Sequence, residues 1–302
     1  GRRLCLRYAK RRAKVQDREH PIGQRLKKPV PRTGFLFASA EGYNAPMYSA
    51  EMALAERLAK EAGEIMRKNF SLAMTKEWKE DHSPVTATDL EINDLALKEI
   101  KKEYPGHSIL SEEGSDFSEE HEYVWICDPV DGTHNFSHGI PTFAFALALT
   151  HKGAPILSVV YDPMLDRLFT AEKGKGAMLN GSAIHVSEGP VIKRTVIGLG
   201  KLTSVRDLRP TMDVLREHGG RLVTGLSIHY MCALVAAGEF SAAFFGGTSP
   251  HDITASALLV EEAGGRMTDL FGKVPERFDR EIEGMLVSNA STHDELIAIM
   301  DR

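Results

Sequence analysis

Asp128-Pro129-Val130-Asp131-Gly132-Thr133-His134-Asn135-Phe136 is the stretch that decides how this 302-residue chain is read. It follows directly on Val124-Trp125-Ile126-Cys127, an apolar run that reads as a strand. Two carboxylates are therefore delivered at a strand end, with Pro129 stiffening the turn between them. Gly132 permits close backbone approach, and Thr133 offers a hydroxyl where a helix or turn begins. Backbone N–H groups exposed at such a start suit a phosphate. Carboxylates alone repel a phosphate dianion, so the combination makes chemical sense with Mg²⁺ between the two. Read in isolation, the stretch also fits a plain Asp-Pro turn with a capping aspartate.

The surroundings separate those two readings. Ser111-Glu112-Glu113-Gly114 ends a second apolar run at 107–110. His251-Asp252 opens an apolar helix, and Asp89 stands at a helix start after Pro84-Val85-Thr86-Ala87-Thr88. Four acidic positions at the ends of separate elements are what a hard-cation site requires: oxygen ligands held by several rigid pieces of chain.

Further outward, apolar spacing predicts helices over 48–70 and 89–103, the second stopped by Pro105-Gly106. A polar loop with Lys79, Asp81 and Ser83 lies between them. Strands are predicted at 107–110, 123–128, 142–150, 156–161, 168–171 and 177–179, with Asn180-Gly181 as a hairpin turn. Helices at 208–218, 227–237, 252–263 and 292–300 then alternate with strands at 221–223, 241–245, 266–268 and 285–288. A helix pair, a block of strands and an alternating second half imply sheets layered with helices.

The formal net charge of −5 hides two different stretches. Residues 1–33 hold twelve Lys/Arg against Asp17 and Glu19; the remainder carries 25 Lys/Arg and 40 acids. Residues 1–46 also contain Pro21, Pro29, Pro31 and Pro46 and no sustained apolar period. They read as a basic, disordered leader, and 1–33 is the one stretch suited to nucleic acid. No apolar run approaches the roughly 18–20 residues a membrane span needs. Cys5, Cys127 and Cys232 show neither metal-ligand spacing nor a disulfide framework, which points to a reducing, cytoplasmic setting. Cys127 reads as a small buried hydrophobe, His229 as a satisfied core histidine, His134 as an exposed turn residue, and Trp78 and Trp125 as packing residues.

Over roughly residues 48–302 the chain resembles the inositol monophosphatase family. The resemblance is carried by Glu112-Glu113-Gly114, by Asp128 to Phe136, by Asp252 with Glu261-Glu262-Ala263-Gly264-Gly265 downstream, and by Pro84 to Asp89, all in the family's order. It implies an α/β (α+β) fold: a layered αβαβα sandwich of the inositol monophosphatase and fructose-bisphosphatase type. Residues 47–302 would form one phosphatase domain of two fused αβ subdomains, with a boundary near 185–195. It implies Mg²⁺-dependent, Li⁺-sensitive hydrolysis of a small phosphomonoester by a metal-activated water, in a homodimer. By position, Glu112, Asp128 and the Val130 carbonyl would hold one Mg²⁺; Asp128, Asp131 and Asp252 would hold a second; and a third would lie near Glu112. Glu112 is preferred over Glu113 by its place in the motif. Asp89 and Thr133 would orient and help deprotonate the water, Gly132 and Thr133 amides would cradle the phosphate, and Gly225, Leu226 and Ser227 would meet the substrate. Lys79 would support the site.

The chain also departs from the family. Inositol-selective members carry an acid shortly before the third-signature aspartate, and no acid stands between Glu239 and Asp252 here. His251 replaces the usual tryptophan. This leaves room for histidinol phosphate, a sugar bisphosphate or broad specificity. His134-Asn135-Phe136 stands where 3′-phosphonucleotide phosphatases usually carry Lys-Glu-Phe. A reading of another class is a non-catalytic regulator that binds RNA or protein through the basic arm.

Overall fold

A 21-residue helix, α1 (Ser49–Asn69), is the first element of the computed structural model, which describes residues 48–301 other than 73, 80–83, 119, 190, 191, 193, 194, 203 and 204. The leader expected at 1–46 lies outside the described residues, as do Asp81 and Ser83 of the polar loop. One face of α1 buries Leu54, Ala55, Leu58, Ala59, Ala62 and Met66, the stripe that 3.6-residue periodicity dictates. Helix α2 (Ala87–Glu103) buries Ile92, Ala96 and Ile100 beside it. Between them β1 (Glu77–Trp78) and β2 (Pro84–Val85) form a short antiparallel pair. Trp78 does not pack as expected: it is 57% exposed. A two-residue strand provides no face to bury an indole, which instead lies 5.9 Å from Lys76 Nζ. Trp125 and Cys127, by contrast, are fully buried.

A seven-stranded sheet follows in chain order: β3 (Ser108–Ser111), β4 (Tyr123–Asp131), β5 (Ala144–His151), β6 (Ala154–Asp162), β7 (Arg167–Glu172), β8 (Gly176–Leu179) and β9 (Ser182–Ile184). Only β3 and β4 are parallel. The short helix α3 (Thr133–Ser137) leaves the end of β4. Strand β5 shows how sequence builds layers. Phe145, Leu147 and Leu149 face the α1–α2 side, while Ala144, Ala146 and Ala148 face the opposite core. A period of two sorts large from small, and the alanines let helices lie close to the second face.

The second half contains β10 (Val196–Gly200), α4 (Arg209–Glu217), β11 (Arg221–Thr224), α5 (Ile228–Ala236), β12 (Ala242–Phe245), α6 (Pro250–Glu262), β13 (Gly265–Thr268), β14 (Met285–Asn289) and α7 (His293–Met300). Its strands form a five-stranded mixed sheet in the order β11-β10-β12-β14-β13. Helices α5 and α6 lie between the two sheets, sharing a core with Ala146 and Val160 on one side and Ala243, Phe245 and Val287 on the other. Ala242 and Phe244 face outward onto α4 and α7. The result is an αβαβα layering with the long strands covered on both faces, as the family resemblance implies.

Strand β10 was not foreseen. Val196-Ile197-Gly198-Leu199-Gly200 carries two glycines, which weaken a strand signal. The fold needs one of them for another reason: a Cβ on Gly198 would lie 2.6 Å from Met231 Sδ of α5. Gly264, at φ +88°, follows the end of α6. Among the described residues no helix is long and apolar enough to cross a membrane.

Candidate functional site

The pairing of β4 with β5 sets Asp128 opposite Ala146 and Asp131 opposite Ala144. Three steps along β4 thus match two along β5, and the surplus residue makes a β-bulge at Pro129-Val130. In a regular strand, residues three apart face opposite sides. The bulge cancels that parity, and Pro129 has no N–H to lose from the ladder there. Asp252, in the first turn of α6, completes the group: carboxylate oxygens of Asp128, Asp131 and Asp252 lie within 4.8 Å of one another.

Each carboxylate has a different environment. Asp131 is buried and accepts hydrogen bonds from the backbone of Ile228 (3.2 Å) and His229 (2.6 Å) and from the Ser227 hydroxyl. It therefore caps the N-terminus of α5, where the helix dipole favours an anion. Asp128 is 2% exposed, and its Oδ1 has no hydrogen-bond partner among the described residues. Burial, reinforced by the charges of Glu112, Asp131, Asp252 and Asp89, pushes its pKa well above the ordinary carboxylate range. Burial and then Asp131 and Glu112 do the same for Asp252. A buried, unpartnered carboxylate oxygen among like charges fits a hard divalent cation. The Val130 carbonyl, which accepts from Thr133 Oγ1 at 2.9 Å, retains a second lone pair on the same bulge.

Glu112 is not part of the tight group of three. It stands at the end of β3, with Oε1 2.8 Å from Lys79 Nζ, while Glu113 Oε1 lies 2.5 Å from the same nitrogen. Burial opposes the Lys79 charge, but the two glutamates outweigh it and raise its pKa. Burial raises Glu113 in turn. Asp89 is fully buried at the third residue of α2. Its Oδ2 accepts from the Thr86 backbone (2.9 Å) and hydroxyl (2.5 Å), and its Oδ1 from Thr133 Oγ1 (2.9 Å). Burial raises the Asp89 pKa against those hydrogen bonds.

Gly132, at φ +87°, starts α3; a Cβ there would lie 2.9 Å from Ser227 Cβ. With His134, Asn135, Ile140, Gly225 and Leu226 it lines a cavity of about 460 Å³. Asn135 fixes the cavity wall by donating to the Gly225 carbonyl at 2.8 Å. Ser227 is 2% exposed, does not line this cavity and turns its hydroxyl to Asp131, because it is the N-cap of α5. His134 is exposed as expected and stacks on His138 at 4.4 Å.

Two contributors were missed, while His229, expected as a satisfied core histidine, is fully buried with both ring nitrogens hydrogen-bonded. Thr86 was legible: Thr86-Ala87-Thr88-Asp89 is a capping-box spacing, and both of its reciprocal bonds form. Asn135 acts across 90 residues of sequence, and nothing local marks that partner.

A layered α/β fold with an acidic, cation-type centre beside a helix start defines the class of protein. The model of the inositol monophosphatase family matches residues 48–301, and the chain belongs to that family. Inositol monophosphatase 1 of Solanum lycopersicum is 37% identical over 71% of this chain and 82% of its own length. The Nus factor SuhB of Pseudomonas aeruginosa is 33% identical over 72% of this chain and 85% of its own. The solved structure of a Thermotoga maritima inositol monophosphatase superposes with a TM-score of 0.77 at 30% identity, covering 83% of this chain and 97% of that one.

Proposed function

We propose that this chain hydrolyses a small phosphomonoester of the inositol 1-phosphate kind in an Mg²⁺-dependent reaction. The observation that carries the reading is the buried, unpartnered Oδ1 of Asp128 inside the group of three aspartates. Asp128, Asp131, Asp252, Glu112 and the Val130 carbonyl would hold the two or three ions. When bound, Mg²⁺ supplies positive charge that offsets the phosphoryl oxygens and makes a water more acidic. The remaining chemistry belongs to the chain. Thr133 Oγ1 directs its hydrogen at Asp89 Oδ1 and Val130 O, so its lone pairs are free to accept from a water and orient it. As that water attacks phosphorus and the bond from phosphorus to the ester oxygen breaks, the water's proton passes to Thr133 Oγ1 and the threonine proton to Asp89 Oδ1, while the departing alkoxide takes a proton from solvent. Burial makes Asp89 a stronger base for this step. The backbone N–H groups of Gly132 and Thr133, at the start of α3, are suited to the phosphoryl oxygens. Gly225 and Leu226, in the cavity wall, would meet the alcohol part of the substrate.

The test is phosphate release with Mg²⁺ from inositol monophosphate, histidinol phosphate, fructose 1,6-bisphosphate, glycerol phosphate and 3′-phosphoadenosine 5′-phosphate, beside an Asp131→Asn control. Turnover of a panel member that is lost in the control and in EDTA supports the reading and names the substrate. A folded protein inert toward all five counts against it. Buried, unpaired Cys127 and Cys232 support a cytoplasmic setting, and the family supports a homodimer, which light scattering would measure.

A second reading is a regulator that touches RNA. It is favoured by the twelve Lys/Arg in residues 1–33 and by the likeness to a Nus factor. Deleting residues 1–46 would then abolish RNA binding and leave phosphate release intact.

A further inference from the structure

His229 is fully buried in the first turn of α5, and no step of the proposed reaction uses it. Its backbone N–H donates to Asp131 Oδ2 at 2.6 Å. Its ring reaches the other way. Nε2 lies 2.7 Å from the carbonyl oxygen of His251, and Nδ1 lies 2.6 Å from Ser256 Oγ. A carbonyl only accepts, so Nε2 carries the hydrogen. His251 immediately precedes Asp252 in α6, and Ser256 stands one turn further along the same helix. One residue therefore grips Asp131 through its main chain and the segment bearing Asp252 through its ring.

Much of the material shared by α5 and α6 is apolar: Met231, Cys232 and Val235 belong to one core with Ile253 and Leu259. Apolar packing holds helices together but is non-directional, and it sets their relative slide weakly. A cation site tolerates errors of only about half an ångström in its ligands. A stiff ring hydrogen-bonded at both nitrogens supplies the missing direction.

We propose that His229 is a positioning residue for the cation site, setting the spacing of Asp131 and Asp252 by tying the start of α5 to the start of α6. The inference rests on reading these aspartates as a cation site, but not on phosphatase activity.

The experiment titrates wild type, His229→Leu, His229→Gln and Ser256→Ala with Mn²⁺, reading free Mn²⁺ by electron paramagnetic resonance, with thermal unfolding of each protein alongside. Leucine fills the space and lacks the donor. Its Mn²⁺ dissociation constant is expected to rise about 10–100-fold, the usual effect of losing an outer partner of a metal ligand. Glutamine keeps a donor for the His251 carbonyl and is expected to recover most of that loss. A folded His229→Leu protein with wild-type affinity overturns the proposal, as does a glutamine variant no better than leucine. If the leucine variant does not fold, Ser256→Ala decides. It frees one side of the ring: weaker Mn²⁺ binding supports the proposal and unchanged binding overturns it. Wild type that fails to bind Mn²⁺ sinks the cation-site reading itself, and the role of His229 with it.

Discussion

Asp128→Asn is predicted to stabilise the metal-free protein while abolishing its response to Mg²⁺. The carboxylate oxygens of Asp128, Asp131 and Asp252 lie within 4.8 Å of one another. At an effective dielectric of about 20, two unit charges at that spacing repel by about 3.5 kcal/mol. Burial and the neighbouring charges already raise the Asp128 pKa, so proton uptake relieves part of this in the wild type. A net gain of about 1–3 kcal/mol remains for a neutral amide of the same shape, or about 2–10 °C in melting temperature for a domain of this size. The asparagine N–H₂ also gives the neighbouring carboxylates a donor. Wild type, in turn, gains about 2.7 kcal/mol at Mg²⁺ concentrations a hundredfold above its dissociation constant. Scanning calorimetry in EDTA and across an Mg²⁺ titration separates the two effects. The reasoning fails if the variant melts at or below wild type in EDTA, or if Mg²⁺ raises both melting points equally.

Asp131→Asn should behave oppositely in EDTA. Asp131 caps α5 by accepting three hydrogen bonds, so losing its charge costs about 1–2 kcal/mol, seen as a lower melting temperature. Thr133→Val cuts the link from Asp89 and should lower kcat about 10²–10⁴-fold with KM little changed, as measured by steady-state phosphate release. Gly198→Ala drives a methyl against Met231 and should cost about 1–3 kcal/mol in urea unfolding. His293 is fully buried between Ser288 and Thr268, and burial holds its pKa down at about 4 against an ordinary 6.5. The unfolded chain therefore takes up a proton that the native state refuses. Stability falls as pH drops through 6.5 and the loss levels off below 4, for a total of about 1–3 kcal/mol. His293→Gln should flatten urea midpoints between those two pH values.

What was legible in the sequence is what is encoded locally. The α1 stripe, the alternation of large and small residues in β5 and the place of each acid beside its own element end are all set within a few residues of chain. Trp78 and β10 were not legible for opposite reasons. Trp78 has the chemistry of a core residue but sits on a strand too short to bury it. The strand Val196–Gly200 has the chemistry of a turn because α5 needs the space that glycine leaves. Ser227 and His229 belong to a third kind. Both bond to Asp131, nearly a hundred residues away, and only the folded chain shows it.

The same distinction explains why the acidic centre holds together. Asp131 and Asp89 each accept three hydrogen bonds from helix starts or flanking hydroxyls, so their positions are set by protein alone. Glu112 is held by Lys79. Asp128, just before the bulge, has a buried oxygen that accepts no hydrogen bond from the described residues. Local rules of polar satisfaction are obeyed at Asp131, Asp89 and Glu112 and broken at Asp128, and such breaks concentrate at functional sites. The two cores on either side of the seven-stranded sheet carry the cost of that break: their buried side chains fix β4 and α6 in place whether or not the carboxylates between them are content. Affinity for a cation is then the mirror of apo instability. The residue that most destabilises the empty site is the one that should gain most when a cation arrives, which is why Asp128 and not Asp131 is the sensitive probe of occupancy.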